Sequence, residues 1–488
     1  MEIIEIKEGI KLHYIKKENF KTDCAFVTLT IPLKRENSTK NALLAYMMMR
    51  GTNKYTDQYI LNKVLDNAYG SNISVSFDKV GDNVSLRFNL ETIANEYALN
   101  GENILKEAMG ILFEIVFNPL MVNGALSKDF IDIEKKHLLK IIRAEKDNKD
   151  SYAYKRCMKE TFGENGFGVN LYGYEEDIDD LSVEALTEHY KNIINSARID
   201  IVFSGRRPLE EIKEIVFNDE NIIKLTGRED TLEFSTKSTE SVEKAIEITD
   251  HMDVVQGKLV LSLTSNFDKE NEKIIGQVYN MILGGSANSL LFQNVREKNG
   301  MSYSISSIFV KLKHTVFIRC GIEIDNYLEA MRLIYNQLDY IKDGQIGDKE
   351  IDDAKVALCA ALDGIKEEQI PEMFYYLGQD FSGEKMSVDE YKEKINVVTK
   401  EDIVEFANSL KVKVIYLLRD WWREKWISGN WTMMNINGRA WDPEFYYKAI
   451  SFYKKNGFQV IGFDRYAYSN HDPEKHNMWI EMGKMLDR

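Results

Sequence analysis

Catalytic chemistry needs particular side chains at particular spacings, and the histidines here are set too far apart for one common pattern. The chain has seven: His13, His137, His189, His251, His314, His471 and His476. Two histidines four apart on a helix share one face and can grip a zinc ion, with a glutamate between them as general base on the metal-bound water. No two of the seven are three or four apart, and neither H-E-x-x-H nor H-x-x-E-H occurs. His471 and His476 lie in a polar stretch and read as surface residues. His137, alone on a charged helix, reads as solvated. The four cysteines, Cys24, Cys157, Cys320 and Cys359, form no C-x-x-C pair. They read as reduced, mostly buried thiols of a cytosolic protein. The densest constellation is Gly284-Gly285-Ser286, followed by Phe292-Gln-Asn-Val-Arg296-Glu297-Lys298-Asn-Gly300-Met-Ser-Tyr303. Read locally, Arg296 pairs with a neighbouring acid, Tyr303 packs in a sheet and the two glycines make a turn.

The elements that must position these residues alternate between α and β. Residues 24–31 alternate and are β-branched, which predicts a strand. A helix is predicted over 38–50, with Ser38 or Thr39 as N-cap. A second is predicted over 56–68, then strands at 72–77 and 84–90 around the Gly81-Asp82-Asn83 turn. Amphipathic helices follow at 102–117 and 128–150. A shift of 232 residues lays four of these pieces on later ones without a gap: 24–33 on 256–265, 60–68 on 292–300, 74–77 on 306–309 and 84–91 on 316–323. The body therefore reads as two copies of one αβ unit.

Composition sets the outer limits. The 488 residues are 44% apolar and 29% charged, a globular balance that excludes a disordered, collagenous or disulfide-scaffold chain. A net charge of −15 makes the molecule a poor binder of nucleic acid or anionic membrane. The N-terminus lacks the basic start of a signal peptide, and the apolar run at 42–49 is far short of the about 20 residues of a membrane span. All six tryptophans (Trp421, Trp422, Trp426, Trp431, Trp441 and Trp479) fall in residues 421–488, which carry ten basic and eight acidic residues. A join near residue 420 is expected.

The segment Leu291-Phe292-x-x-Val-Arg296-Glu297-Lys298-x-Gly300-x-x-Tyr303 resembles the pitrilysin/insulinase family of inverted-motif zinc peptidases, which includes mitochondrial processing peptidase. The resemblance covers 1–419 and includes Tyr69-Gly70, Tyr172-Gly173 and the strand ending at Gly205. It implies an α+β fold of two tandem homologous peptidase-type domains. The boundaries read are 1–205 and 241–419, with a polar connector at 206–240 and a short αβ fragment at 420–488. Active members carry H-x-x-E-H on the first long helix. Here Gly51-Thr52 supplies the anchor, and the motif positions are Ala42, Leu43, Leu44, Ala45 and Tyr46. Alanine offers no lone pair, and a neutral tyrosine is a poor zinc ligand. The third-ligand position falls on Ile141, with Glu134 and Glu145 nearby.

The resemblance further implies that Arg296 and Tyr303 match the arginine and tyrosine that hold substrate in trans. The Gly284-Gly285 turn resembles a substrate-contacting loop of zinc-less subunits. The implied protein is an inactive peptidase homologue of the YmfF-like branch, without a cofactor of its own. It would be cytoplasmic, paired with a zinc-bearing homologous subunit, and would act on peptides without nucleic acid or membrane. Residues 449–484 are similar to the C-terminal end of GNAT-type acyltransferases, without the loop that cradles acyl-CoA. Other readings stay open: a hydrolase with a relocated site, an acyltransferase through the tail, or a pure scaffold.

Overall fold

The computed structural model describes residues 1–164, 166–235, 244–420, 458–464 and 479–484. It falls into two compact units, Met1–Arg423 and Glu424–Arg488. The first half of the large unit contributes strands β1 (Glu2–Lys7), β2 (Ile10–Lys16), β3 (Thr22–Pro32), β4 (Asn72–Val80) and β5 (Asn83–Ile93). A two-residue ribbon, β6 (Met121–Val122) and β7 (Ala125–Leu126), precedes β8 (Arg198–Gly205). Six of these strands form one sheet in the order β1-β2-β8-β3-β5-β4, with β2 parallel to β8 and every other pair antiparallel. The helices are α1 (Arg35–Met48), α2 (Gln58–Asn67), α3 (Ile104–Phe117), α4 (Lys128–Ala144), α5 (Lys149–Phe162) and α6 (Val183–Ser196). Two short helices, α7 (Leu209–Phe217) and α8 (Glu220–Lys224), follow.

The second half repeats the plan. Strands β9 (Ile246–His251), β10 (Gly257–Ser265), β11 (Ser304–Val310), β12 (Thr315–Ile322) and β13 (Leu410–Arg419) form a sheet in the order β11-β12-β10-β13-β9, with β13 parallel to β9. Its helices are α9 (Glu272–Leu283), α10 (Tyr327–Lys342), α11 (Asp348–Lys366), α12 (Gln369–Phe381), α13 (Val388–Asn396) and α14 (Lys400–Ser409). Strands β4 and β11 begin at residues 72 and 304, and β5 and β12 at 83 and 315. The offset read from the sequence is thus the offset of the folded strands. Its helical anchor departs from expectation, because residues 292–297 form a π-helical turn where their counterpart is the α-helix α2.

The halves are held by an exchange of helices. Strand β3 is buried along nearly all its length, although its residues alternate between two faces. Ala25, Val27 and Leu29 belong to the first half's own core. Cys24 and Phe26, on the other face, pack with Met373, Leu377 and Phe381 of α12, from the second half. The reverse holds for the second sheet. Val260, Phe317, Val414, Tyr416 and Leu418 pack with Ala153, Cys157 and Met158 of α5, from the first half. The central strands of each sheet therefore hide both faces, one under a borrowed helix.

Local chemistry explains three further departures from expectation. Helix α1 starts at Arg35 behind Lys34, which gives no side-chain cap, rather than at Ser38 or Thr39. Both hydroxyls are used in tertiary bonds, Ser38 to the Asn170 carbonyl and Thr39 to Asp177 Oδ2 at 2.6 Å. The helix expected over 128–150 breaks after Ala144, because Asn148 caps a new helix by accepting from Ser151 N at 3.0 Å. The stretch 206–240, read as a polar connector, holds α7 and α8 and buries Ile212, Val216 and Ile222 in the first core. All four cysteines are free, and Cys24, Cys157 and Cys320 are buried. No helix among the described residues is long and apolar enough to cross a membrane. In the small unit, β14 (Phe458–Asp464) pairs antiparallel with β15 (Trp479–Lys484). The readings placed on Trp421, Trp422, Trp426, Trp431, Trp441, His471, His476 and residues 449–457 lie outside the described residues.

Candidate functional site

Helix α1 carries the five motif positions into the core rather than into a polar site. Ala42, Leu43, Leu44 and Ala45 are fully buried among apolar neighbours. Tyr46 is half-buried, with its ring edge-on to Phe77 at 5.4 Å and to His137 at 5.2 Å. Burial, with Tyr172 and the carboxylates of Glu134 and Glu145 close by, pushes its phenol up to about 12. A tyrosine in that state is a neutral space-filler and no metal ligand. Gly51-Thr52 lies directly behind the helix, where Thr52 Oγ1 accepts from Tyr55 N at 2.9 Å.

Helix α4 packs along α1 and brings a carboxylate to it. That carboxylate is Glu134, whose side chain is 2% exposed, while Ile141 is partly buried. Arg50 Nε donates to Glu134 Oε1, and His137 Nδ1 lies 2.8 Å from Oε2. His137 is therefore oriented by a buried acid and is not simply solvated. The arginine beyond the end of α1 supplies positive charge to that carboxylate. Ala42, Ala45 and Tyr46 offer no donor set that would hold a zinc ion. A single-sequence reading carries no signal for the Arg50–Glu134 pair, since the partners are 84 positions apart. Elsewhere, His189 Nε2 donates to Asn41 Oδ1 at 2.7 Å, and burial pulls its imidazole down to about 4.

Among the described residues, one group of three donors is close enough for a metal ion: His13, Asp200 and Asp380. A cation already fills it. Arg198 donates to Asp200 at 2.9 and 3.0 Å and also to Asp380, while Lys11 sits 3.3 Å from Asp380. The cluster fastens α12 to β2 and β8 and acts as part of the joint between the halves.

The second-half constellation is arranged differently. Gly284 ends α9, its N–H and that of Gly285 both donating to Asn280 O at 2.9 and 2.8 Å. Ser307 N of β11 donates to Gly284 O at 3.0 Å, and a Cβ on Gly284 would stand 2.7 Å from that nitrogen. The glycine is required by the close approach of helix end and strand. Arg296 rides the π-helical turn, its guanidinium 4.6 Å from the Phe292 ring centre and 3.6 Å from Glu297. It does pair with a local acid, but its side chain stays 40% exposed. Tyr303, just before β11, is 54% exposed and does not pack in the sheet. Its hydroxyl donates to Glu323, and that bond to a carboxylate raises the phenol above its ordinary value.

Comparison with known proteins gives a consistent picture. Residues 180–358 match the family described as the peptidase M16 inactive domain. The chain is 27% identical over 413 residues to the probable inactive metalloprotease YmfF of Bacillus subtilis, covering 84% of this chain and 96% of that protein. It is 25% identical over 300 residues to the uncharacterized zinc protease YmxG of the same organism, covering 59% and 68%. A conserved protein from Enterococcus faecalis V583 superposes with a TM-score of 0.78 at 24% identity, over 86% of this chain and 98% of that one. A peptidase M16 inactive domain from Pseudomonas fluorescens superposes at 0.69 and 17% identity, over 86% and 98%. The two repeated αβ halves and the apolar filling of positions 42–46 agree with this likeness to the M16 metallopeptidases, one of which is named a probable inactive metalloprotease.

Proposed function

We propose that this chain is the non-catalytic subunit of a cytosolic zinc-peptidase-like heterodimer that processes peptides. The zinc belongs to a homologous partner, and this chain supplies Arg296 and Tyr303 to the substrate. One observation carries the reading most. The first half spends its motif positions on core packing, whereas the second half leaves Arg296 and Tyr303 exposed on short tethers. A guanidinium and a phenol in that state can turn from Glu297 and Glu323 to a peptide backbone, where they would steady charge on a carbonyl oxygen. Gly284 and Gly285 fix the helix end beside them. Relatives named both as zinc proteases and as an inactive metalloprotease support a family in which zinc-bearing and zinc-less chains coexist.

The domains of this reading are 1–205 and 241–419, joined by 206–240. Residues 420–488 form an add-on without catalysis of its own, and its GNAT-like character rests on its sequence alone. The test is reconstitution with a zinc-bearing homologue, followed by peptide cleavage. Arg296→Ala/Tyr303→Phe is expected to lower kcat at least about a hundredfold, the scale of one lost oxyanion-stabilising donor. Unchanged cleavage would remove the substrate-holding role. Failure to co-elute on gel filtration would remove the heterodimer.

A further inference from the structure

The two halves carry the same polar arrangement beside their edge strands, and only the second leaves it open. In the first sheet, Arg87 of β5 lies opposite Ser76 of β4, and Asn89 lies between Ser74 and Phe26. In the second, Arg319 of β12 lies opposite Ser306 of β11, and Gly321 lies between Ser304 and Lys258. The first copy is sealed. Arg87 donates to Ser76 Oγ at 3.0 and 2.8 Å and stacks 3.9 Å from the Phe374 ring centre, which leaves its side chain 11% exposed. Asn89 Nδ2 closes the remainder by donating to Ser76 Oγ at 3.2 Å.

Each of these closures is missing from the second copy. Ser304 and Ser306 are exposed, and neither hydroxyl is hydrogen-bonded among the described residues. Arg319 is half-buried, with its guanidinium 5.2 Å from the Tyr154 ring centre, yet it has no hydrogen bond and no ion pair among the described residues. A guanidinium offers five N–H donors, and polar groups drawn away from water are normally bonded. Glycine in the place of Asn89 leaves a gap. A Cβ on Gly321 would stand 2.9 Å from Ser304 Oγ, 3.6 Å from Lys258 Nζ and 3.9 Å from Gln256 Oε1. A lysine stands where the first half has Phe26. Two acids border this shelf and both are engaged: Asp150 with Lys258 at 3.2 Å, and Glu323 with the Tyr303 hydroxyl. The groups left unbonded, the Arg319 guanidinium and two serine hydroxyls, can all donate.

We infer that this shelf binds a carboxylate carried by a peptide, with Arg319 as its bidentate partner, Lys258 as second cation and Ser304 and Ser306 as hydroxyl donors. The planar fork of a guanidinium matches the two oxygens of a carboxylate. β11 is the edge of its sheet, so no further strand covers the approach from that side. A peptide C-terminus and an acidic side chain share this chemistry. That the carboxylate belongs to a peptide rests on the proposed function; the site itself needs neither Tyr303 nor a zinc-bearing homologue.

Calorimetry on the full chain alone, in a buffer free of carboxylates and phosphate, tests it. The probes are acetyl-Ala-Ala-Ala with a free C-terminus, acetyl-Ala-Glu-Ala-amide, and acetyl-Ala-Ala-Ala-amide, which has no carboxylate. Saturable one-to-one binding is expected from at least one of the first two and not from the third. Binding of the first alone assigns a C-terminus, binding of the second alone an acidic side chain, and binding of both a carboxylate from either source. Arg319→Met should weaken binding at least about tenfold, the scale of a lost hydrogen bond to a charged group. Arg319→Lys should recover only part of it, since it keeps the charge without the fork. Arg319 makes no hydrogen bond in the fold, so both variants should melt close to the parent. Gly321→Asn copies Asn89 of the first half and should also weaken binding at least about tenfold. A control, Arg143→Gln on α4, removes a positive charge elsewhere and should bind as the parent does. The inference is overturned if neither carboxylate peptide saturates, or if the amide binds as well as they do. It is also overturned if Arg319→Met binds like the parent, or if the control loses as much. Failure of the heterodimer shows instead in gel filtration and cleavage, which this measurement does not involve.

Discussion

Arg50 and Glu134 meet across the end of α1 and the middle of α4, and the carboxylate of that pair is all but sealed from solvent at 2% exposure. The charge that this acid needs comes from a guanidinium on the same chain, with His137 taking its second oxygen. Ala42, Ala45 and Tyr46, which precede Arg50 on α1, are apolar or neutral. The helix pair that carries metal chemistry in the resembled peptidases is therefore a closed, self-neutralised packing unit here.

Arg50→Ala leaves Glu134 buried with His137 as its remaining partner. Breaking a fully buried pair costs about 3–5 kcal/mol. Arg50 is 29% exposed, so screening brings the expected loss down to about 1–3 kcal/mol. Arg50→Ala/Glu134→Gln should regain part of it, since no buried charge is then orphaned. Urea midpoints of the two variants decide the matter. A double variant no more stable than Arg50→Ala would show that the pair does not act through charge.

The two glycines of the second half should respond unequally. A Cβ at Gly284 would lie 2.7 Å from the backbone nitrogen of Ser307, which cannot move without shifting β11. Gly284→Ala is expected to cost about 1–3 kcal/mol. A Cβ at Gly285 would meet the flexible Met281 Sδ at 2.8 Å and Asn280 O at 3.0 Å. Gly285→Ala should cost less, because a methionine can repack. Thermal melts of both variants give the order, and a reversed order would contradict the close approach of α9 to β11.

Much of this fold can be read in the sequence, and the parts that cannot share a physical reason. The 232-residue offset holds because paired strands such as β4–β5 and β11–β12 record their register in alternating residues and a tight turn. Spacing from Gly51-Thr52 picks out positions 42–46, which the resemblance aligns with a zinc motif. The helix exchange is invisible, since Cys24 and Phe26 show only that the second face of β3 is apolar, not that α12 will cover it. The start of α1 is hidden in the sequence for a similar reason. Ser38 and Thr39 have the right chemistry for caps, but distant partners at Asn170 and Asp177 claim them.

Acid should loosen the joint between the halves. Burial alone would raise the Asp200 carboxyl, but the hydrogen bond from His13 and the Arg198 guanidinium prevail and bring it to about 2. A carboxyl depressed in the folded state stabilises above its unfolded value of about 3.9, and that stability is lost as pH falls toward the folded value. Stability should therefore drop between about pH 4 and pH 2. Asp200→Asn should be less stable near neutrality and flatter across that window. Denaturant midpoints at several pH values measure both, and equal slopes for parent and variant would exclude Asp200 as the source.

Rebuilding the metal motif by substitution alone should fail, for reasons of packing as much as of ligands. Ala42 and Ala45 have no exposed surface, so Ala42→His and Ala45→Glu force larger side chains into a filled core. Overpacking costs about 1–3 kcal/mol at each site. A carboxylate at 45 would add the penalty of a buried, unpaired charge. Tyr46→His would also remove a ring packed against Phe77 and His137. The remaining acid, Glu134, is held by Arg50. Ala42→His/Ala45→Glu/Tyr46→His is therefore expected to melt well below the parent and to retain no stoichiometric zinc after gel filtration. Added zinc should not raise its Tm, because only a ligand that binds the folded state stabilises it. Atomic absorption and melting curves with and without zinc give the answer. About one retained zinc per chain, with a zinc-dependent rise in Tm, would show that the helix pair can still open to a metal, and that loss of the histidines alone silenced it.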